Sequence, residues 1–77
     1  MSDPNESRYI QTGLKITFYR KLRGLTQEQL ADKIDCSPGY LSQVETPSFV
    51  KPVSLATLFA IADTLHIAPS KFLEVEK

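Results

Sequence analysis

This sequence of 77 residues is poor in the features that mark several common classes of protein. Its single cysteine excludes an internal disulfide and a zinc site built from several thiolates. No apolar run reaches the length of a membrane span, and the polar, slightly acidic start MSDPNES is unlike a signal peptide. We therefore expect a cytosolic protein. The length suits one small domain with marginal burial, for which a second chain can supply part of the core.

Net positive charge, the usual sign of a nucleic-acid partner, is also missing, because nine basic residues balance nine acidic ones. The distribution is nevertheless uneven. Residues 8–23 hold five bases and no acid, whereas residues 24–50 hold one base and four acids. A polyanion responds to the local field rather than to the sum, so the neutral total does not exclude DNA. A basic stretch of this size is, by itself, more typical of a solvated helix face.

Hydrophobic spacing and capping residues predict five helices and no strand. We expect residues 1–7 to be a flexible tail and residues 8–77 to be one domain. The predicted helix bounds are roughly 8–23, 27–34, 38–46 and 55–65, with a short fifth helix from Pro69. The predicted N-caps are Ser7, Thr26, Ser37 and Ser54. Thr26 and Gln29 fit a capping box, and Pro38 suits the first position of its helix.

The apolar residues of the first helix form two stripes, which together are broad for a helix packed on one side. Ile10, Leu14, Phe18 and Leu22 make one stripe, and Ile16 and Tyr19 lie on a neighbouring face. We expect the first stripe to be partly core, with its excess available to a partner. The fourth helix is the most apolar and is expected to be central. From the fifth helix, Phe72, Leu73 and Val75 are expected to point inward.

The second and third predicted helices are short and are joined by a turn of about three residues, which is the pattern of a helix-turn-helix. Asp35 in this turn tolerates a left-handed backbone better than most residues. The major groove of DNA admits one helix, whose first residues reach the base edges. Gln and Ser side chains can hydrogen-bond bases, and Gly39 allows close approach of the backbone. Free N–H groups at the helix starts can hold phosphates without formal charge.

The segment YRKLRGLTQEQLADKIDCSPGYLSQVE, followed by KPVSLATLFAIADTLHIAPSKFL, resembles the Cro/CI-type (XRE-like) helix-turn-helix domain of bacterial and phage regulators. The resemblance covers about residues 9–74. The combination R-x5-TQ-x2-LA-x5-S-x2-YLS-x-hE, with h apolar, is specific as a set. The resemblance implies an all-α, compact, five-helix, lambda-repressor-like fold in which helices 2 and 3 form the helix-turn-helix.

The resemblance also implies roles for individual residues. The matching base-contact positions are Gly39, Ser42 and Gln43. The matching phosphate-contact positions are Gln27, Ser37, Tyr40 and Lys51, with Tyr40 open to a packing role instead. Arg20 and Glu45 match a structural ion pair that ties helix 1 to helix 3. The chain departs from the family's usual pattern at Asp35 and at Thr46–Pro47, where Gly is usual, and at Pro38–Gly39, where long polar readers are usual. Because Pro38 and Gly39 carry no long polar side chain, we expect the base sequence to be recognised by few side chains or through DNA shape.

The function that follows is a DNA-binding transcription regulator, by default a repressor, that binds a palindromic operator as a homodimer. The dimer surface implied by the resemblance is helix 5 with the preceding loop, and helix 1 is the alternative. A second function stays open: a protein-binding module such as an antitoxin, or an adaptor that no longer binds DNA. No catalytic motif supports an enzyme, and no cofactor, metal or small-molecule effector is indicated. Cys36 is expected to be an inert thiol and His66 a surface or packing histidine.

Overall fold

Five α-helices and one short 3-10 turn make up residues 5–74, the part of the chain that the structure, a computed structural model, describes. No strand occurs within these residues. The elements are α1 (Glu6–Leu22), α2 (Gln27–Lys33), α3 (Pro38–Glu45), the 3-10 turn (Pro47–Phe49), α4 (Leu55–Leu65) and α5 (Ser70–Leu73). The predicted all-α fold, with a helix-turn-helix made of α2 and α3, is confirmed.

Most helix ends lie where the capping signals place them. Thr26 Oγ1 accepts from the Gln29 N–H at 3.1 Å, and Gln29 Oε1 accepts from the Thr26 N–H at 2.9 Å, which completes the predicted capping box. Ser37 and Ser54 cap α3 and α4 in the same way, through the N–H three residues later. These caps explain why the predicted starts of α2, α3 and α4 match the structure.

The start of α1 differs from the prediction. The helix begins at Glu6, and Asn5 occupies the N-cap position without a side-chain cap. Ser7 lies inside the helix, where its hydroxyl accepts from Gln11 Nε2 at 3.0 Å, so its prediction as an N-cap is wrong. The negative charge of Glu6 in the first turn favours the earlier start. Residues 1–4 and 75–77, and with them the predicted inward position of Val75, lie outside the described residues.

The core uses the second of the two predicted faces of α1, the one that carries Ile16 and Tyr19, rather than the first stripe. Gly13, Ile16 and Arg20 are the buried residues of α1. Leu14 and Phe18 instead face solvent, as does Leu22, so the expectation that their stripe forms part of the core is wrong for these three. The buried apolar residues are Ile16, Leu30, Ala31, Leu41, Val44, Leu58, Ile61, Ala62, Leu65 and Phe72. α1 packs against α3, α4, α5 and the 3-10 turn, so α1 rather than α4 is the central helix.

The last two helices bury one side each. α4 buries Leu58, Ile61, Ala62 and Leu65 but leaves Leu55 and Phe59 exposed. In α5, Phe72 is fully buried and edge-on to Tyr19, whereas Leu73 is about half exposed. The inward position predicted for Leu73 is therefore wrong. Successive residues of a helix point about 100° apart, so in a helix of one turn Phe72 and Leu73 cannot both face the core.

Gly13 allows α1 and α3 to approach each other closely. A Cβ at this position would overlap the carbonyl oxygen of Val44, in the last turn of α3. That oxygen and the backbone around it cannot move away without shifting α3. Gly39, by contrast, has open space where its Cβ would be. The two helix glycines therefore differ in what they contribute to packing.

Three helices are followed, within two residues, by a residue with a left-handed backbone. Gly24, Asp35 and His66 have φ values of 73°, 57° and 57°. After α2, the Asp35 N–H bonds to the Asp32 carbonyl and the Cys36 N–H to the Ala31 carbonyl, which is the Schellman pattern. The left-handed conformation expected for Asp35 is thus present, and it ends α2 before the turn that leads to α3.

Replacing Asp35 by Gly is expected to raise the free energy of unfolding by about 0.5–1 kcal/mol, because Gly adopts the left-handed conformation without a Cβ clash. Asp35→Ala keeps the Cβ and should give no such gain. Urea unfolding of both variants measures the difference. An equal gain from Ala would show that the side chain, not the backbone, decides the effect.

Gly13→Ala is expected to lower the free energy of unfolding by about 1–3 kcal/mol, because the added methyl forces α3 away from α1. The matched control is Gly39→Ala, which adds the same group in open space and should be neutral or stabilising by about 0.5 kcal/mol. Thermal unfolding of the two variants checks the contrast. Similar losses at both positions would contradict the close approach at Gly13.

Candidate nucleic-acid interface

The first turn of α3 is exposed while the rest of the helix is anchored in the core. Ser37, Pro38 and Gly39 face solvent. Leu41 is fully buried and Val44 is 4% exposed, so the helix cannot rotate without losing core contacts. An exposed helix start on a fixed base is what insertion into the major groove requires.

The three predicted base-contact residues lie along this helix. Gly39 is exposed and leaves open space beside the backbone. Ser42 and Gln43 are half-buried. Within residues 5–74 the Gln43 side-chain amide makes no hydrogen bond. Both the donor and the acceptor of the Gln43 amide are therefore available to a ligand.

The predicted phosphate-contact residues fall into two places. Ser37 caps α3, and Tyr40 packs on the edge of the core while Lys51 lies over its ring, 5.8 Å from the ring centroid to Nζ. Gln27 lies apart from these three, at the start of α2, and its Nε2 donates to Glu45 Oε1 at 3.2 Å. The structure thus brings Ser37, Tyr40 and Lys51 to one end of α3 and uses Gln27 to join α2 to α3.

Glu45, the last residue of α3, is the centre of a buried polar network. Its Oε2 accepts from Arg20 Nε at 2.8 Å, and its Oε1 accepts from Arg20 Nη2 at 2.8 Å, which makes a bidentate pair. The same Oε1 accepts from Thr17 Oγ1 at 2.8 Å. Arg20 Nη1 also donates to the Leu25 carbonyl at 2.7 Å. We call Thr17, Arg20, Gln27 and Glu45 the Glu45 network.

The Glu45 network fixes α3 to its neighbours. Arg20 and Glu45 are each only 7% exposed, so little solvent screens the pair. The donors come from α1 and α2, while the acceptor stands at the end of α3. The exposed start of α3 is therefore held in place from its opposite end.

Some residues that hold α3 in position could not be recognised as important from the sequence. Thr17 and Gly13 are part of no motif, yet one completes the Glu45 network and the other lets the helices meet. Arg23 donates to the Leu65 carbonyl at 2.7 Å and thereby caps α4. The position of Thr17 three residues before Arg20 places both on one side of α1, which was the only sign in the sequence that Thr17 could join the ion pair. That spacing by itself is not specific.

Cys36, in the turn between α2 and α3, is half-buried. Burial raises the pKa of its thiol, and the neighbouring Asp35 carboxylate raises that pKa further. The thiol therefore stays protonated at neutral pH, and the protonated form is a poor nucleophile and metal ligand.

Comparison with known families identifies the class of protein that this fold and interface define. The family model described as helix-turn-helix (HTH_3) matches residues 16–72, most of the chain. The chain belongs to this XRE-type helix-turn-helix family of DNA-binding transcription regulators. The resemblance seen in the sequence is confirmed.

Solved structures show the same fold. The clp gene regulator ClgR from Corynebacterium glutamicum has a TM-score of 0.79 and 29% identity, with 86% of this chain and 68% of that chain covered. The restriction-modification controller protein C.AhdI from Aeromonas hydrophila has a TM-score of 0.75 and 28% identity, over 83% and 94% of the two chains. The hypothetical transcription factor NHTF from Neisseria has a TM-score of 0.75 and 24% identity, over 92% and 76%.

No curated protein sequence matches the chain. Among the helices of residues 5–74, none combines the length and the hydropathy that crossing a membrane requires.

Removing one partner of the buried ion pair is expected to be costly. Arg20→Met leaves the Glu45 carboxylate buried without its counter-charge, and the free energy of unfolding should fall by about 3–5 kcal/mol. The double variant Arg20→Met/Glu45→Leu removes both charges and should lose less than the single variant. Urea unfolding provides the measurement.

The matched control is the exposed pair of Lys71 and Glu74, whose Nζ and Oε2 lie 3.7 Å apart in solvent. Lys71→Met should change stability by less than about 0.5 kcal/mol, because exposed pairs contribute little. Equal losses for Arg20→Met and Lys71→Met would contradict the role assigned to the Glu45 network.

Proposed function

We propose that this protein is a sequence-specific transcription regulator that inserts the first turn of α3 into the major groove of DNA. The observation that carries the proposal is the exposed start of α3 on a helix anchored by Leu41 and Val44. The family supports it, since its members regulate transcription by binding DNA through this motif.

Within this proposal, Gln43 is the main base reader. Its amide can donate to and accept from adenine at once, a pairing that contributes about 1–3 kcal/mol of discrimination. Ser42 can bond to several bases, and Gly39 lets the backbone approach the groove. Since only one long polar side chain is available, DNA shape supplies part of the specificity.

Phosphate contacts come from Ser37, Tyr40, Lys51 and Gln27 in this proposal. Lys51 is held over the ring of Tyr40, so the ammonium and the phenol can meet the DNA backbone together. Gln27 Nε2 carries two hydrogens, of which one is used by Glu45. Its second hydrogen can donate to a phosphate while the first keeps α3 in position.

The proposal extends to a homodimer on a palindromic operator, with half-sites about 34 Å apart, and to repression by covering the promoter in the bacterial cytoplasm. Two copies double the contact area, which a domain of this size needs for useful specificity. The exposed Leu73 of α5 supports an interface formed by α5 and the loop before it.

The test is a fluorescence-anisotropy titration with DNA from immediately upstream of the protein's own gene and with operators selected from a randomised pool. Gln43→Ala is expected to weaken specific binding by about 1–3 kcal/mol and to leave binding to unrelated DNA unchanged. The matched control is Gln11→Ala, which removes the same group from α1 and should change neither.

A salt titration separates base readout from phosphate attraction, because only phosphate contacts set the slope of affinity against salt. Gln43→Ala should leave this slope unchanged, whereas Lys51→Ala should reduce it by about one counter-ion. Equal, weak binding of every DNA, or none, would contradict the proposal and would favour the protein-binding module.

A further inference from the structure

The outer face of α1 carries an apolar stripe that the fold does not cover. Leu14, Phe18 and Leu22, which we call the α1 stripe, are 48%, 61% and 60% exposed. They recur every four residues and lie opposite the face that holds Gly13, Ile16 and Arg20. An apolar row of this length on one side of a helix is the shape that a second amphipathic helix recognises.

The first half of the α1 stripe opens into a pocket of about 210 Å³, lined by Gln11, Leu14, Lys15 and Phe18. Two of the four lining side chains are apolar, Leu14 and Phe18, and two are polar, Gln11 and Lys15. A pocket of this composition takes one large apolar side chain of a partner.

Two lysines border the α1 stripe, one on each edge. Lys15 and Lys21 project from the helix at angles on either side of Phe18. Lys15 Nζ is withdrawn from solvent and has no hydrogen-bond partner in the part of the chain that the structure describes. An ammonium in that position is costly until a carboxylate meets it. Lys21 is exposed.

The three arginines of the same basic stretch are engaged within the protein. Arg8 bonds to Asn5, Arg20 to Glu45, and Arg23 to the end of α4. No acid lies between residues 8 and 23. Only Arg20 is neutralised by a carboxylate, because Arg8 and Arg23 bond to uncharged oxygens and keep their charge. Lys15 and Lys21 are the positive groups that lie directly beside the α1 stripe.

We propose that the α1 stripe docks an amphipathic helix of another protein whose apolar side is bordered by Asp or Glu. A carboxylate of that helix pairs with Lys15, whose side chain swings outward to meet it, and a second carboxylate pairs with the exposed Lys21. A second copy of this chain fits less well, because two α1 helices side by side place lysine against lysine. A membrane surface fits less well too, since recognition of anionic lipid takes clusters of about four to eight basic residues.

The proposal does not rest on DNA binding. The α1 stripe faces away from the side of α1 that packs against α3, so a partner can dock without touching the first turn of α3. A second protein bound to the α1 stripe could therefore stay bound while the first turn of α3 holds another ligand.

The test uses two fluorescein-labelled synthetic peptides of about 18 residues, longer than the roughly 12–15 residues below which isolated helices are marginal in water. Both carry leucine at every third or fourth position. One has Glu at the flanking positions and the other has Lys. The acidic probe should bind the wild-type protein at least about tenfold more tightly than the basic probe at low salt, and added salt should weaken it.

Three variants locate the binding. Phe18→Ala should weaken the acidic probe at least about fivefold, because it removes the side chain at the centre of the stripe. The matched control is Phe59→Ala, which removes an exposed phenylalanine from α4 and should have no effect. Lys15→Glu/Lys21→Glu should reverse the preference and favour the basic probe. Unfolding curves and operator binding of Phe18→Ala should match those of the wild type, since its side chain is mostly exposed.

Several results would overturn the proposal. These are equal affinity for the two probes, no binding of the acidic probe, or equal effects of Phe18→Ala and Phe59→Ala. Sedimentation velocity that shows Phe18→Ala breaking a dimer would make the α1 stripe a self-interface. Binding to vesicles of phosphatidylglycerol and phosphatidylcholine that Phe18→Ala abolishes would make it a lipid surface.

Discussion

The carboxylate of Glu45 is the group on which the geometry of this domain depends. A carboxylate at the end of a helix of eight residues has been taken out of water, a change that is unfavourable unless every oxygen is satisfied. Arg20, Thr17 and Gln27 satisfy it, and they come from two other helices. The position of α3 is therefore set by a polar network, while Leu41 and Val44 supply the apolar contact. A helix this short would not be stable by itself.

The Glu45 network and the capping contacts also explain how a protein without net charge belongs to a DNA-binding family. The bases of residues 8–23 suggest a positive surface in the sequence, but Arg20 is buried against Glu45, and Arg23, at the surface, is bonded to the end of α4. The side chains that face the DNA under the proposed function are uncharged, apart from Lys51 beside Tyr40. In such an interface, well-oriented hydrogen-bond donors contribute affinity that charged groups would otherwise supply. Donors held in fixed positions lose less conformational entropy on binding than flexible lysines do.

The parts of the fold that were predictable from sequence are those that local chemistry decides. The starts of α2, α3 and α4 follow from Thr26, Ser37 and Ser54, whose side chains reach only three residues along the chain. The pairing of α2 and α3 follows from the short turn at Asp35. The resemblance then places the candidate interface on α3, although what each side chain there does with DNA is still a prediction.

The errors concern contacts between elements distant in sequence. The most apolar stripe of α1 faces solvent. The side of α1 that faces α3 is determined by the contact of Gly13 with Val44 and by the ion pair of Arg20 with Glu45. A glycine and an arginine give no hydrophobic signal, so periodicity favours the wrong face. The same reasoning applies to Leu73, where only the position of Phe72 under Tyr19 decides which residue turns inward.

The outward position of the α1 stripe follows from the same constraint. Once Gly13 and Arg20 face α3, the residues half a turn away must face solvent, and here they are Leu14 and Phe18. α1 therefore lies between two surfaces: its inner side holds α3 through the Glu45 network, and its outer side presents apolar groups bordered by lysine. A partner that binds the outer side of α1 without bending the helix would leave the position of α3 unchanged. One that bent α1 would change the spacing of Thr17 and Arg20, and through Glu45 it would move the helix proposed to read DNA.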